Sequence, residues 1–288
     1  MTPRRLGALA TVAIALLLGE VATERIGAHA IVDAPNLHRA DITTAPPERA
    51  VDVGPPRARL AVEIVDPKRP PRATIFVLHG IRDHKEGLRH WAEHLSEAGY
   101  RAVLVDSRGH GHSTGDWLTY GVQECKDLSQ LADALAVDGP IGVMGISYGG
   151  ATAIEWAARE PRVRAAVAVA PFASLRDIVP VYTPRMIPVA GWLIPHFSQM
   201  RAVDAAGRLG GFDPDAASPR AAAHATHTPI LIIHGRDDVT VPLAQSQLIA
   251  DGAPSVSLTV LDAQDHDRIS GDPRLWPLAL DFFARVFT

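Results

Sequence analysis

The sequence predicts an α/β fold in which helices cover both faces of a mostly parallel sheet. From about residue 58 to the end of the chain, short apolar runs of strand length alternate with longer helical stretches. Such alternation is typical of parallel sheets, because each parallel connection needs a crossover helix. Two further features bear on function, namely a glycine-flanked serine at position 147 and a long proline-rich insertion at residues 172–220.

The individual elements follow from the apolar runs and their turn signals. The runs are rich in valine, isoleucine and alanine, which suits strands buried on both faces. The strand candidates are 59–64, 73–78, 101–105, 140–144, 165–170, 229–235 and 257–261, and the helix candidates are 88–98, 122–136, 151–159, 243–251 and 273–287. We expect one domain over residues 58–288, interrupted by the insertion.

The segment Gly145-Ile146-Ser147-Tyr148-Gly149 lies between a strand candidate and a helix candidate. A serine on such a sharp strand-to-helix turn holds its hydroxyl out at the top of the sheet, and the turn has room only for small neighbours. The alternative, a phosphate-binding glycine loop, is disfavoured because the G-K-[ST] ending and the G-x-G-x-x-G spacing are absent. The pattern therefore predicts that Ser147 is a nucleophile.

A serine hydroxyl is a weak nucleophile, so it needs a base and an orienting acid. In this architecture the expected chain order is serine, then acid, then histidine. Asp237 and Asp238 follow the strand candidate at 229–235, and His266 follows the last strand candidate. The loops after parallel strands meet at one edge of the sheet, so these residues are expected to converge on Ser147.

Several short motifs add to this pattern. They are Leu78-His79-Gly80, the glycine- and histidine-rich stretch from Asp106 to Ser113, the serine turn, the H-G-x-x-D-x-x-V-P string at 234–242 and the late histidine. With these motifs the chain resembles the α/β-hydrolase superfamily from about Leu60 to Thr288. More narrowly, it resembles the serine-aminopeptidase-like and dienelactone-hydrolase-like esterase branch.

The resemblance implies a role for each motif. In the string at 234–242 the family's acid is the aspartate four residues after the histidine, which is Asp238, and Asp237 is the rival position. His266 would be the base. The backbone N–H groups of Tyr148 and Ile81 would bind the oxyanion. The resemblance implies no cofactor.

Composition excludes some classes of function. The net charge is −4 and the pI is near 6.3, and no aromatic-basic motif is present, which argues against nucleic-acid binding. Thirteen histidines form no H-E-x-x-H or tight ligand cluster, so no metal site is expected, and His79 and His234 are interpreted as loop-holding residues. The one cysteine, Cys125, excludes an internal disulfide and is interpreted as a packing residue.

Residues 1–30 are predicted to be a signal peptide or an N-terminal membrane anchor. Arg4 and Arg5 precede fourteen uncharged, mostly apolar residues at 6–19, and Ala28-His29-Ala30 offers a cleavage site. The stretch from Glu20 to Ala30 is long and charged for a cleavage region, so an uncleaved signal-anchor is the alternative to cleavage. In either form we expect the domain to lie outside the cytoplasm, periplasmic or secreted after cleavage, or anchored to the membrane and facing outward. The alternative is a cytosolic protein whose apolar N-terminal helix packs on its own surface. Residues 31–57 are predicted to be a linker with little regular structure.

The insertion at 172–220 is too long for an ordinary connection. By resemblance it is a cap over the nucleophile, and its apolar residues favour a pocket for an acyl or alkyl group. Contact of this patch with lipid and plain helical packing are the two alternatives.

The sequence as a whole predicts an exported serine hydrolase acting on a small carboxylic ester with an apolar part. A peptidase or a lipid-deacylating thioesterase would use the same residues. A non-catalytic binding protein on this fold is disfavoured because Ser147, Asp238 and His266 are all present.

Overall fold

The computed structural model describes residues 24–38 and 49–288, and within them an eight-stranded sheet forms the centre of the molecule. The strands are β1 (Arg49–Val53), β2 (Ala58–Val65), β3 (Thr74–Leu78), β4 (Arg101–Val105), β5 (Ile141–Ile146), β6 (Val163–Val169), β7 (Ile230–Gly235) and β8 (Val256–Leu261). Their order is β1-β2-β4-β3-β5-β6-β7-β8. The pairs β1–β2 and β2–β4 are antiparallel, and every other neighbouring pair is parallel.

Helices connect the strands on both faces of the sheet. The described helices are α1 (residues 24–32), α2 (Arg89–Glu97), α3 (Glu124–Ala134), α4 (Tyr148–Arg159), α5 (Leu175–Met186), α6 (His196–Gly210), α7 (Pro219–Ala225), α8 (Leu243–Ala250) and α9 (Leu275–Val286). The predicted α/β fold, with a mostly parallel sheet and helices on both faces, is confirmed.

The core lies in two layers, one on each side of the sheet. Side chains of a strand alternate between faces, and in β3 Phe76 and Leu78 belong to one layer while Ile75 and Val77 belong to the other. The first layer packs against α3, α4, α7 and α8, and the second against α2 and α9. Burial on both faces explains why the central strands are apolar at nearly every position.

The predicted linker at 31–57 contains regular structure, which corrects that expectation. Strand β1 begins at Arg49 and pairs with β2, with Val51 opposite Leu60. Its alternation of valine and polar residues is only five residues long and is hidden among prolines, so it carries little signal in the sequence. An edge strand of this kind needs to bury one face only. Residues 39–48 lie outside the described residues.

The helix α1 packs against α6, a helix of the insertion. Ala28 and Val32 are buried against Ala206. The carboxylate of Glu24 forms ion pairs with Arg201 at 2.8 Å and Arg208 at 2.7 Å. Residues 24–32 are thus joined to the insertion by both apolar and ionic contacts.

Most of the predicted signal peptide or anchor lies outside the described residues, and cleavage after Ala30 stays a prediction. Within residues 24–38 and 49–288, no helix has the length and apolar character needed to cross a bilayer.

Candidate active site

Ser147 occupies the turn between β5 and α4 with φ 54° and ψ −114°. A positive φ costs a non-glycine residue about 1–3 kcal/mol and persists only where the surroundings fix it. Here the Ser147 N–H donates to the carbonyl oxygen of Val169 at 2.8 Å. A Cβ atom on Gly145 would overlap the Gly149 carbonyl, and one on Gly149 would overlap the Leu78 carbonyl. The glycines therefore allow α4 to pack directly on the strands below the serine.

The structure brings Asp238 and His266 together at the carboxyl edge of the sheet. The Nδ1 atom of His266 lies 2.7 Å from Oδ2 of Asp238. The other carboxylate oxygen, Oδ1, accepts hydrogen bonds from the backbone N–H groups of Thr240 at 2.9 Å and Val241 at 2.8 Å. Asp238 is buried, whereas Asp237 is exposed. It is thus Asp238 that contacts the histidine.

A second histidine, His234, also contacts the carboxylate of Asp238. Nε2 of His234 lies 3.4 Å from Oδ2 of Asp238 and 2.8 Å from the Val241 carbonyl oxygen, and its Nδ1 atom contacts the Ser246 hydroxyl at 2.6 Å. Burial alone would raise the pKa of Asp238, but hydrogen bonds from His234 and His266 hold that pKa well below its usual range. Asp238 is consequently an anion at neutral pH and can fix the N–H of His266 in one orientation.

The loop after β3 borders Ser147, because a Cβ atom on Gly80 would lie 3.8 Å from Cβ of Ser147. The buried His79 holds this loop: its Nδ1 atom is 2.7 Å from the Gly80 carbonyl oxygen, and its Nε2 atom accepts from the Ser107 N–H at 3.1 Å. Burial lowers the pKa of His79, which favours the neutral ring that this pattern requires. The neighbouring Ile81 N–H has no hydrogen-bond partner within the described part of the chain.

Tyr148 is the first residue of α4, so its N–H lacks an intrahelical partner. Its side chain is buried, and its hydroxyl donates to Oε1 of Glu124 at 2.8 Å. The same carboxylate accepts from Thr119, through both its N–H and its hydroxyl, and from the Gly121 N–H at 2.9 Å. Sequence reasoning missed Glu124, because its partner Tyr148 is 24 residues away and no motif spacing joins them.

A second residue that sequence reasoning missed is Tyr182, which α5 of the insertion places beside Ser147. The side chain is half-buried. Burial raises the pKa of Tyr182, the neighbouring Ser147 lowers it, and the charge of Asp238 raises it again, with a net upward shift. The phenol is therefore protonated at neutral pH. Only the folding of α5 over the sheet brings it to Ser147, so the sequence carries no signal for it.

The large apolar residues between α5 and α6 are exposed to solvent, and the apolar acyl pocket expected from the sequence stays a prediction. Val189 is 81 % exposed, Trp192 77 % and Leu193 79 %. Apolar side chains of the insertion that are buried include Leu175 and Ile178 in the first turn of α5, which belong to the same core cluster as Tyr148. The chain turns away from the core after α5, and its apolar residues face solvent.

One cluster of potential metal ligands lies near the site, but its carboxylates are already paired with a lysine. Ligand atoms of Glu86, Asp106 and His112 lie within 4.8 Å of one another. The ammonium of Lys85 is 2.6 Å from Oε1 of Glu86 and 3.1 Å from Oδ2 of Asp106. The buried Asp106 also accepts from the backbone N–H groups of Lys85 and His112. We interpret this cluster as an ion-pair network that organises the loop after β4.

The chain is similar to known hydrolases in sequence and in fold. The family model described as serine aminopeptidase, S33, matches residues 69–210, a range that includes Ser147 but not Asp238 or His266. The uncharacterized protein YqkD of Bacillus subtilis is 27 % identical over 181 residues, which cover 60 % of this chain and 58 % of YqkD. This chain thus spans less than two thirds of that relative.

Two further similarities cover more of the chain. A monoacylglycerol lipase of Mycolicibacterium smegmatis is 25 % identical over 232 residues, or 68 % of this chain and 81 % of the lipase. The solved structure of the Pyrococcus furiosus esterase Pf2001 superposes with a TM-score of 0.65 at 23 % identity, over 83 % of this chain and 92 % of the esterase. At that identity the superposition establishes the fold alone.

Replacing Gly149 tests the close packing below Ser147. Gly149→Ala would force a methyl group into the Leu78 carbonyl, and we expect a loss of about 1–3 kcal/mol in the free energy of unfolding. Gly139→Ala is the matched control, because a Cβ atom there meets nothing within 4 Å. Urea unfolding of both variants measures the difference. Equal stabilities would show that the turn does not depend on this contact.

Proposed function

Because the chain belongs to the α/β-hydrolase superfamily, we propose that it is a serine hydrolase that cleaves carboxylic esters through an acyl-enzyme. The observation that carries this proposal is the 2.7 Å contact between His266 and a buried, ionised Asp238 at the sheet edge that also presents Ser147. In the proposed roles Ser147 is the nucleophile, His266 the base that activates it and Asp238 the orienting acid, which is the set of groups that acyl transfer needs.

In the first half of the proposed reaction, Oγ of Ser147 attacks the ester carbonyl while Nε2 of His266 takes the hydroxyl proton. The carbonyl oxygen becomes an oxyanion and accepts hydrogen bonds from the N–H groups of Ile81 and Tyr148. His266 then gives its proton to the departing alkoxide, the carbon–oxygen bond of the ester breaks, and the alcohol leaves. The acyl group remains on Ser147.

In the second half, His266 removes a proton from a water molecule, which attacks the acyl carbon through a second oxyanion. The bond to Oγ breaks, Ser147 regains its proton from His266, and the carboxylic acid leaves. Throughout, Asp238 accepts the Nδ1–H of His266, keeps Nε2 directed at the serine and stabilises the imidazolium that forms in each half. The sequence of steps needs no cofactor.

The charges around the site favour an ester over the amino-terminal amide that the family description suggests. Besides Asp238, the charged groups that act on the Tyr182 hydroxyl are Arg82 and Arg185. An aminopeptidase must hold a free ammonium group, for which these arginines are an unfavourable environment. The lipase among the relatives also supports an ester with an acyl chain, and a thioester remains compatible with the same residues.

Ser147→Ala tests the nucleophile. The substitution removes one oxygen atom, so the fold should be retained while hydrolysis of p-nitrophenyl acyl esters is lost. Labelling by a fluorophosphonate probe should disappear in the same variant, which separates an enzyme from a binding protein. Peptide amides assayed in parallel address the peptidase alternative. Full probe labelling of the variant would exclude Ser147 as the nucleophile.

The two neighbouring aspartates provide a matched test of the acid. Asp238→Asn removes the carboxylate that orients His266, and in comparable triads this loss lowers kcat by about 10⁴-fold. Asp237→Asn changes an exposed side chain of the same loop and is expected to leave kcat nearly unchanged. Steady-state kinetics on one ester compares them, and a larger loss at Asp237 would reverse the assignment.

Tyr182→Phe tests the contact between the insertion and the nucleophile. The variant keeps the ring but removes the hydroxyl that lies beside Ser147. We propose that this hydroxyl donates a hydrogen bond to the serine during the reaction. Such a bond is worth about 0.5–1.5 kcal/mol, so kcat should fall about two- to tenfold. KM should change less, because the ring that shapes the site remains. If KM rose instead and kcat stayed constant, the hydroxyl would act in substrate binding and not on the serine.

A further inference from the structure

The most unusual surface of the described molecule is formed by residues 185–197, which we call the cap tip. They comprise the end of α5, the start of α6 and the segment between the two helices. Within residues 24–38 and 49–288, eight large hydrophobic side chains are exposed, and six of them belong to the cap tip: Met186, Ile187, Val189, Trp192, Leu193 and Phe197. Exposed apolar residues are normally scattered over a protein surface. Concentrating them in one short segment marks a surface that contacts something apolar.

The charged side chains of the chain segment that carries the cap tip are all basic. Between Asp177 and Asp204 the sequence has no acidic residue, while it carries Arg185, His196 and Arg201. Arg185 and His196 are exposed and form no ion pair within the described part of the chain, whereas Arg201 pairs with Glu24. Apolar side chains that include a tryptophan, together with unpaired basic side chains, match the interface of a membrane that contains anionic lipid.

We propose that the cap tip docks on the surface of an anionic phospholipid bilayer, with Trp192 and Leu193 inserted at the headgroup level. A second copy of the chain is a poorer fit, because a symmetric contact through the cap tip would bring two Arg185 side chains towards each other. The apolar area and the basic residues act together, since interfacial binding depends on both buried apolar surface and attraction to anionic lipid.

The position of α1 is consistent with an orientation in which the cap tip faces a membrane. Helix α1 packs on α6, the helix that leaves the cap tip, and on α1 both Arg25 and Ile26 are exposed. The uncharged run at 6–19 ends five residues before Glu24, a span of at most about 18 Å in extended chain. If that run is retained as the anchor proposed from the sequence, it holds the insertion close to the membrane it enters.

Docking through the cap tip would also connect the bilayer to the site. Helix α5 runs from the core to the cap tip and carries Tyr182, which lies beside Ser147. A lipid surface at the end of this helix therefore lies on the side of the molecule where the insertion covers the nucleophile. The proposal itself does not depend on the reaction catalysed.

The test reports on the cap tip directly and uses the full chain. Ala190→Cys, an exposed position of the cap tip, is labelled with an environment-sensitive NBD dye, and Arg164→Cys, exposed at the start of β6, is the control; the native Cys125 is buried. Vesicles of phosphatidylcholine with phosphatidylglycerol should shift the emission at position 190 to the blue and leave position 164 unchanged. Phosphatidylcholine alone should give a smaller shift.

Three results would overturn the proposal. The first is a protein that floats with the vesicles while the dye at position 190 still reports water, because binding would then belong to the N-terminal segment. The second is the absence of vesicle binding. The third is a blue shift that appears on raising the protein concentration without lipid, which would indicate a second copy as the occupant.

A pair of substitutions tests the contribution of Arg185 to binding of anionic lipid. Arg185→Gln should weaken partitioning onto the mixed vesicles by about fivefold, since one basic residue near an anionic surface contributes about that factor. Arg164→Gln removes a charge elsewhere and should have no effect. Thermal unfolding of both variants checks the fold, and equal partitioning would overturn the role of Arg185.

Discussion

The strained backbone at Ser147 is the constraint on which the rest of the site depends. Its positive φ is held by the hydrogen bond to Val169 and by the close approach of α4 to β3 and β5, which Gly145 and Gly149 make possible. This packing fixes the serine at the carboxyl edge of the sheet and leaves the N–H of Tyr148 at an open helix terminus. The proposed nucleophile and one proposed oxyanion donor are thereby positioned by one turn of backbone.

The loops around this turn are fixed by buried polar groups, each with its hydrogen bonds satisfied by a neighbouring loop. His79 joins the loop after β3 to Ser107, His234 supports Asp238 and Val241, and Glu124 joins Tyr148 to the backbone of residues 119–121. Buried polar groups with all partners in place rigidify their surroundings, and an unsatisfied one is costly. The site is therefore preorganised by residues that never need to touch a substrate.

The insertion has two surfaces with different roles. Its inner surface places Tyr182 beside Ser147 and buries Leu175 and Ile178 against the core, while the cap tip turns Trp192 and its apolar neighbours outward. The expectation of an apolar pocket assigned the apolar residues of the cap tip to the inner surface. Apolar composition by itself does not decide between them, because the direction of a side chain depends on where α5 ends and how the chain turns next.

The sequence by itself determined the sheet, its covering helices and the turn at Ser147, because these follow from local patterns: short apolar runs, their spacing and small residues at a tight turn. It also ordered Asp238 and His266 after successive strands. The tertiary structure decided what depends on distant neighbours, namely the selection of Asp238 over Asp237 as the contact of His266, the edge strand β1 within the expected linker, and the places of Glu124 and Tyr182. Those partners are far apart in the chain and meet only through packing, for which no local pattern exists.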